Sequence, residues 1–328
     1  MKDVYTRLRA LGFDRPYVQR FLLPDWWQDT MAAVPANRAL AEISIAQVLG
    51  IPLPELRDPS RTLRLEAPVG VRFKRPADTA ASELDAAIAL AQRAASGLVG
   101  CVRSLPDFAG PVSASELRTR VMSRAGDVDL DALVQAAWDH GVAVIPLPHL
   151  PPKARRFTAA ALLCGARRVV VLASRRDAPP WLAHDLAHEL GHVFLGHVSE
   201  ASPVVVETQP EEPVSEQEDH EAAANRFALE LLTGYPAIEI GRVEGVDKKR
   251  LAKIDARFRG EWRTAPGVVA LLWGYRAGRM GVANGALQLL HQDTGGAAIV
   301  RDHFIKRIAE PDDLSETNAR YLDLATGE

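Results

Sequence analysis

Helical spacing of apolar residues dominates both ends of this chain, and strand-like runs fall only in its middle. In ANRALAEISIAQVLGIPLPEL, Leu40, Ile43, Ala46 and Leu49 recur at close to helical spacing until Pro52 and Pro54 interrupt them. SELDAAIALAQRAASGLV predicts a further helix, and Pro106, Gly110 and Pro111 mark a boundary after it. Ser113 and Glu116 then have the spacing of a capping box, in which each residue satisfies a free N–H at a helix start. LDALVQAAWDH predicts a second helix that stops at Gly141. The β-branched run VAVIPL reads as a strand, and TAAALL and RVVVLAS around Cys164-Gly165-Ala166-Arg167 read as a hairpin. Two helices follow. One starts near Pro180 in PPWLAHDLAHELGHVFLGH, and the other runs from Glu216 to a stop at Gly234 in EQEDHEAAANRFALELLTG. This order, two helices, three strands and two helices, belongs to an α+β domain rather than a doubly wound sheet.

The pattern divides the chain into a helical module (1–66), a linker and helix (67–111), the α+β domain (112–235) and a helical region (236–328). In the last of these, WRTAPGVVALLWGYRAGRMGVANGALQLL reads as two helices around Gly281, while RDHFIKRIAEPDDLSETNARYLDLATGE carries no legible pattern. No solenoid repeat is present. A net charge of −3 over 328 residues gives no global reason to bind nucleic acid or an anionic membrane. No window approaches the ~20 apolar residues that span a bilayer, and MKDVYTRLRALGFDRP lacks the apolar core of a signal peptide. Cys101 and Cys164 are too few for a disulfide framework and read as small buried hydrophobes. A cytoplasmic protein with no membrane partner is expected. Two local charge features stand out: a short basic knot in VRFKRPADT, and ETQPEEPVSEQEDHE, with seven acidic residues and no Lys or Arg. The latter reads as a solvated loop or as a lid over a neighbouring cleft.

The candidate chemistry lies on the two central helices. On the first, Leu182, Leu186, Leu190, Val193 and Phe194 share one arc, and His184, His188 and His192 share the opposite one. His188 and His192 project from adjacent turns of one face, where two imidazoles can take two corners of a zinc tetrahedron. Glu189 lies about 100° around the helix, so it can work on zinc-bound water without being a ligand. This is the HExxH arrangement. Val198 stands where a metzincin would place its third histidine, which excludes that class. On the second helix, Glu221 and Asn225 sit one turn apart at the edge of an apolar arc of Ala224, Phe227, Ala228 and Leu231. Glu221 is the favoured third ligand, with His197, His220 and Glu218 as alternatives. Asn225 is placed to accept a hydrogen bond from a ligand histidine. His184 can steady an oxyanion or simply face solvent, and His197, near the helix end, is a further candidate for substrate contact. Trp262, Trp273 and the Trp26-Trp27 pair are expected in the core.

At LAHELGHVFLGH and EAAANRFALELL the chain resembles the ImmA/IrrE family of zinc endopeptidases, and the likeness extends back through RRVVVLAS and DALVQAAWDHGVAVIPL to about Leu117. The resemblance implies a small zincin-like domain, gluzincin-like in its ligands, with a short mixed sheet of about three strands. It implies His188, His192 and Glu221 as zinc ligands and Glu189 as general base. It also implies an intracellular enzyme whose protein substrate is a helix-turn-helix transcriptional repressor. AEISIAQVLGIPLPEL is similar to the closing helices of the helix-turn-helix module that many members carry. LLPDWW shows no clear recognition helix, however, and residues 1–66 hold nine basic against eight acidic side chains. DNA binding and protein docking therefore both stay open for this module. The C-terminal helices are similar to elements of longer members, where they can select substrate or dimerise. A bound peptide is expected to add as a strand to a sheet edge near Val169 to Ala173. Two rival readings remain: a zinc-binding regulator that acts without proteolysis, and a zinc hydrolase of non-peptide amides.

Overall fold

The computed structural model describes residues 1–65, 72–73, 81–151, 157–200, 204–206, 215–238 and 245–327. The basic knot around VRFKRPADT lies almost wholly outside the described residues, as do residues 207–214 of the acidic segment, the side chain of Glu218 and any lid formed there.

Long apolar runs in the middle of the chain form the expected strands. They are β2 (Val142–Pro146), β3 (Ala159–Cys164) and β4 (Arg167–Leu172). Two short strands, β1 (Arg72–Phe73) and β5 (Val204–Val206), extend the sheet on the β3 side, giving the order β1-β5-β3-β4-β2 among the described residues. The sheet is mixed. β3 pairs antiparallel with β4, where Ala161 faces Val170, and with β5, where Ala161 faces Val205. β2 runs parallel to β4, with Val144 opposite Val170, and β1 runs parallel to β5. β1 and β5 are too short, at two and three residues, to show a period in sequence.

β4 is therefore an interior strand, and the expectation of a free edge at Val169–Ala173 is corrected. The cause is the parallel pairing of β2, whose five residues are all buried and so show none of the alternation that marks a solvated edge. Helix Ala81–Gly100 and helix Pro179–Phe194 both pack on β3 and β4. Since Val169, Val170, Val171 and Leu172 are all buried although they point alternately to the two faces, both faces are covered.

Upstream of β2, Ser113 and Glu116 form the capping box of helix Ala114–Ala125, with both reciprocal bonds present. Helix Leu130–Asp139 ends on Gly141 at φ +77°, where a Cβ would lie 2.6 Å from the Pro106 carbonyl oxygen. Only glycine fits that turn. The N-terminal segment packs helix Pro35–Leu49 against the last helix, Glu316–Thr326, and the Tyr321 hydroxyl donates to the Val48 carbonyl at 2.9 Å. One apolar core runs from these helices through Ala81–Gly100 to the sheet.

The C-terminal region carries more helix than its sequence announces. Lys248–Trp262, Val268–Ala277 and Met280–Leu289 build a second apolar core, which takes in Trp181 from the start of the central helix. The break between the last two falls at Gly278, at φ +63°, and Gly281 lies in the first turn of the helix beyond it. Gly296–Ile305 runs into the stretch with no legible pattern, and Glu316–Thr326 arises within it through a Ser315 N-cap on the Asn318 amide. Trp27, Trp262 and Trp273 are buried, whereas Trp26 is exposed. Both cysteines are half-buried free thiols rather than enclosed hydrophobes. Among the described residues no helix is long and apolar enough to cross a membrane.

Arg118 joins these layers. Buried on helix Ala114–Ala125, it donates to the Leu231 carbonyl at 2.8 Å and to the Trp262 carbonyl, near the ends of two other helices. Those carbonyls lack intrahelical partners or lie against the negative end of the helix dipole. Arg118→Met keeps the apolar stem and strands both acceptors. It is expected to lower unfolding free energy by about 3 kcal/mol in urea titration, against less than about 1 kcal/mol for an exposed arginine.

Candidate metal centre

The central helix starts with Pro179 and Pro180, whose fixed φ suits a first turn and whose missing N–H groups have no helical partner to lose. Its Leu182, Leu186, Leu190, Val193 and Phe194 are buried as expected. The opposite arc is covered as well. His188, Glu189 and His192 are at most 1% exposed, because helix Ser215–Thr233 and the C-terminal helices close over them.

Helix Ser215–Thr233 comes unusually near. A Cβ on Gly191 would lie 3.1 Å from the Ala224 Cα and carbonyl oxygen and 3.2 Å from the Phe227 Cβ. The hydrogen in place of a side chain at Gly191 lets the two backbones approach within reach of a shared ion. Phe194 and Phe227 stack beside this contact at 6.1 Å.

Across it, three donors converge. His188 Nε2 and His192 Nε2 are 3.0 Å apart, and Glu221 Oε2 and Oε1 lie 3.2 and 3.5 Å from them respectively. Donors held at about 2.0–2.1 Å on a tetrahedral ion are separated by about 3.3–3.4 Å, so the ring–ring spacing and the distance of each Glu221 oxygen to its own ring are close to the edges of such a site. Two imidazole lone pairs facing each other at 3.0 Å repel unless a cation or proton lies between them. His188, His192 and Glu221 form the one His/Cys/Asp/Glu group able to hold a metal ion among the described residues.

The outer nitrogens fix the tautomers. Asn225 Oδ1 lies 3.1 Å from His188 Nδ1, and since a carbonyl oxygen only accepts, His188 carries its proton on Nδ1 and turns the Nε2 lone pair inward. His192 Nδ1 lies 2.9 Å from His197 Nδ1. An inward lone pair on His192 makes it the donor there and His197 the acceptor. His197 in turn stacks on His220, with ring centroids 4.0 Å apart. His197 thus supports His192 from behind, and His220 packs against His197 outside the donor triad.

Charge follows the same plan. Burial holds His192 neutral to lower pH than an exposed ring, although Glu221 pulls the other way. His197 is pushed down to about 4 by burial and then by His192 and His220. Burial alone would raise the Glu221 carboxyl, but its contacts with His188 and His192 carry it far below the usual range. Two imidazoles and one carboxylate make a donor set suited to a borderline divalent cation.

His184, one turn before His188, does not face open solvent. Its ring stacks on Tyr275 at 5.4 Å, and Tyr275 meets Trp181 edge-on at 5.2 Å. Tyr275 belongs to helix Val268–Ala277 and has no sequence signal linking it to the histidines. The backbone contact at Gly191 and the His192–His197 bond were equally invisible, since each depends on a distance in the folded chain rather than on spacing along one helix. Replacing Gly191 by Ala puts a methyl group against backbone that cannot swing aside, so the helices must part by a few tenths of an ångström. The variant is expected to bind its metal at least about tenfold more weakly by chelator competition, through misplacement of ligands, even where the better helix propensity of Ala leaves the melting temperature unchanged.

No curated protein matches the chain. Residues 137–259 match the profile of the IrrE N-terminal-like domain of the M78 peptidases, a span that holds β2 to β5, both central helices and the three convergent donors. This segment of the chain is a domain of that family of peptidases.

Proposed function

We propose that the chain is a zinc-dependent endopeptidase that cuts a partner protein. The observation that carries this reading is the convergence of His188 Nε2, His192 Nε2 and the Glu221 carboxylate, whose two oxygens lie 3.2 and 3.5 Å from one ring nitrogen each, with Glu189 on the same helix between the two histidines. Among the described residues three protein donors converge rather than four, the number found where zinc keeps a position for substrate chemistry.

Bound zinc supplies Lewis acidity, making water a nucleophile near neutral pH and polarising the carbonyl of the bond to be cut. His188 and His192 hold it through Nε2, and Asn225 and His197 keep their rings from turning. Glu189, buried beside them, takes a proton from the attacking water and delivers it to the departing amine nitrogen. We read His184, whose ring stacks on Tyr275, as the donor toward the carbonyl oxygen as it gains charge.

The substrate we favour is a helix-turn-helix transcriptional repressor whose cleavage relieves repression inside the cell, a reading supported by the family to which residues 137–259 belong. We read the N-terminal segment as a docking surface rather than the main DNA contact. Four of its eight arginines are held by partners: Arg38 and Arg57 both bind Glu42, Arg15 binds Asp29, and Arg7 binds Asp3 and the carbonyls of Glu55, Leu56 and Asp58. Side chains held this way are not poised for phosphates. The rival reading, a zinc-binding regulator without proteolysis, is less favoured because structural zinc usually has four protein ligands.

Glu189→Gln preserves shape and removes the proton acceptor. With a purified repressor encoded beside the gene as substrate, cleavage is expected to fall by about 10²–10⁴-fold at unchanged zinc content. Cleavage at the wild-type rate would remove Glu189 from the chemistry. A zinc-replete wild-type protein that leaves the repressor intact would remove that repressor as substrate.

A further inference from the structure

A second cavity, of about 660 Å³, lies away from the donor triad and is lined by residues from both the N-terminal segment and the domain. Its volume falls in the range of small-molecule sites. The first wall is aromatic. Tyr17 and Phe21 have ring centroids 5.0 Å apart, and Phe21 stacks on His149 at 5.6 Å with 28° between planes. The rest of the lining comes from the loops that follow β2 and β4, which contribute His149 to the aromatic wall and also Arg175-Arg176. Those two strands run parallel, so the cavity sits beyond the carboxyl ends of a parallel pair, where ligands collect in open α/β sheets.

The charge in this cavity is unbalanced. Arg20, Arg175 and Arg176 all line it, and none makes an ion pair among the described residues. Arg20 donates to the Gly327 carbonyl, and Arg176 lies over the Trp181 ring. The two carboxylates of the lining are engaged with backbone, and Asp323 feels the charge of Arg20 from outside the lining. Asp14 accepts from the Tyr17 amide at 3.0 Å, and Asp177 accepts from the Gly295 and Ala297 amides at 2.9 and 2.8 Å. The positive field reaches His149, whose pKa is lowered by burial and then by Arg20 and Arg175.

We propose that this cavity binds a small anionic molecule bearing a flat ring, its carboxylate or phosphate group held by Arg20, Arg175 and Arg176 and its ring laid on Tyr17, Phe21 and His149. Guanidinium groups recognise such oxyanions through paired N–H donors, and stack with rings as well. An occupant would bridge the N-terminal segment to the Ser174–Asp177 loop, which leads directly into the helix that carries His188 and His192. The site lies outside the peptidase reading, and its ligand is a small molecule rather than a peptide.

Phenyl phosphate is the probe, titrated calorimetrically into the full chain without added metal or protein substrate, so the result is independent of the peptidase reading. Saturable binding at one per chain is expected, with inorganic phosphate and phenol each binding more weakly because each lacks one half of the recognition. Arg175 is exposed and has no structural bond to lose, so Arg175→Ala and Arg175→Glu are expected to stay folded and to weaken binding by about tenfold or more. Arg20→Gln is expected to do the same. No saturable binding, or equal affinity in wild type and both Arg175 variants, would overturn the assignment.

Discussion

The donor triad depends on how closely two helices pack. One helix carries both imidazoles and the other carries the carboxylate, so the spacing between Glu221 and the histidines is set by the distance between backbones. Gly191 sets that distance, against Ala224 and Phe227, in the turn between the two histidines. Farther along, Arg118 grips the Leu231 carbonyl and so ties the carboxylate-bearing helix to the layer behind it. A metal site accepts errors of no more than about 0.2 Å in its donor distances. Helix packing supplies that tolerance here, and a loop-borne ligand would not.

Around this contact the polar groups are arranged so that each imidazole has one defined task per nitrogen. The inner nitrogens face each other and the carboxylate, while Asn225 and His197 occupy the outer ones. Burial keeps His192 and His197 neutral, and the two facing rings keep Glu221 ionised. Protonation of the rings would destroy the donor set, so enclosure of the histidine face serves the chemistry as much as the packing. The C-terminal helices take part in that enclosure through Trp181 and Tyr275, which ties the outer region of the chain to the site.

Much of this was legible in sequence wherever a single element carried the information. The four-residue spacing of His188 and His192 and the one-turn offset of Glu221 and Asn225 are properties of individual helices, and they predicted which side chains would meet. The Ser113–Glu116 capping box and the hairpin through Gly165 were legible for the same reason. What was not legible needed two elements at once. The interior position of β4 follows from its pairing with β2, whose uniformly buried residues carry no facing signal. The short strands β1 and β5 gain their hydrogen bonds only from neighbours distant in sequence. His197 is remote from His192 on a helical wheel, and it reaches the outer nitrogen only because the chain turns back at Gly196, at φ +75°.

The most direct measurement is a crystal structure of the full chain loaded with one equivalent of zinc. The account predicts an ion at about 2.0–2.2 Å from His188 Nε2, His192 Nε2 and one Glu221 oxygen, with its remaining position open to solvent. A fourth protein side chain on the ion, or a Glu221 carboxylate turned away from both rings, would contradict it.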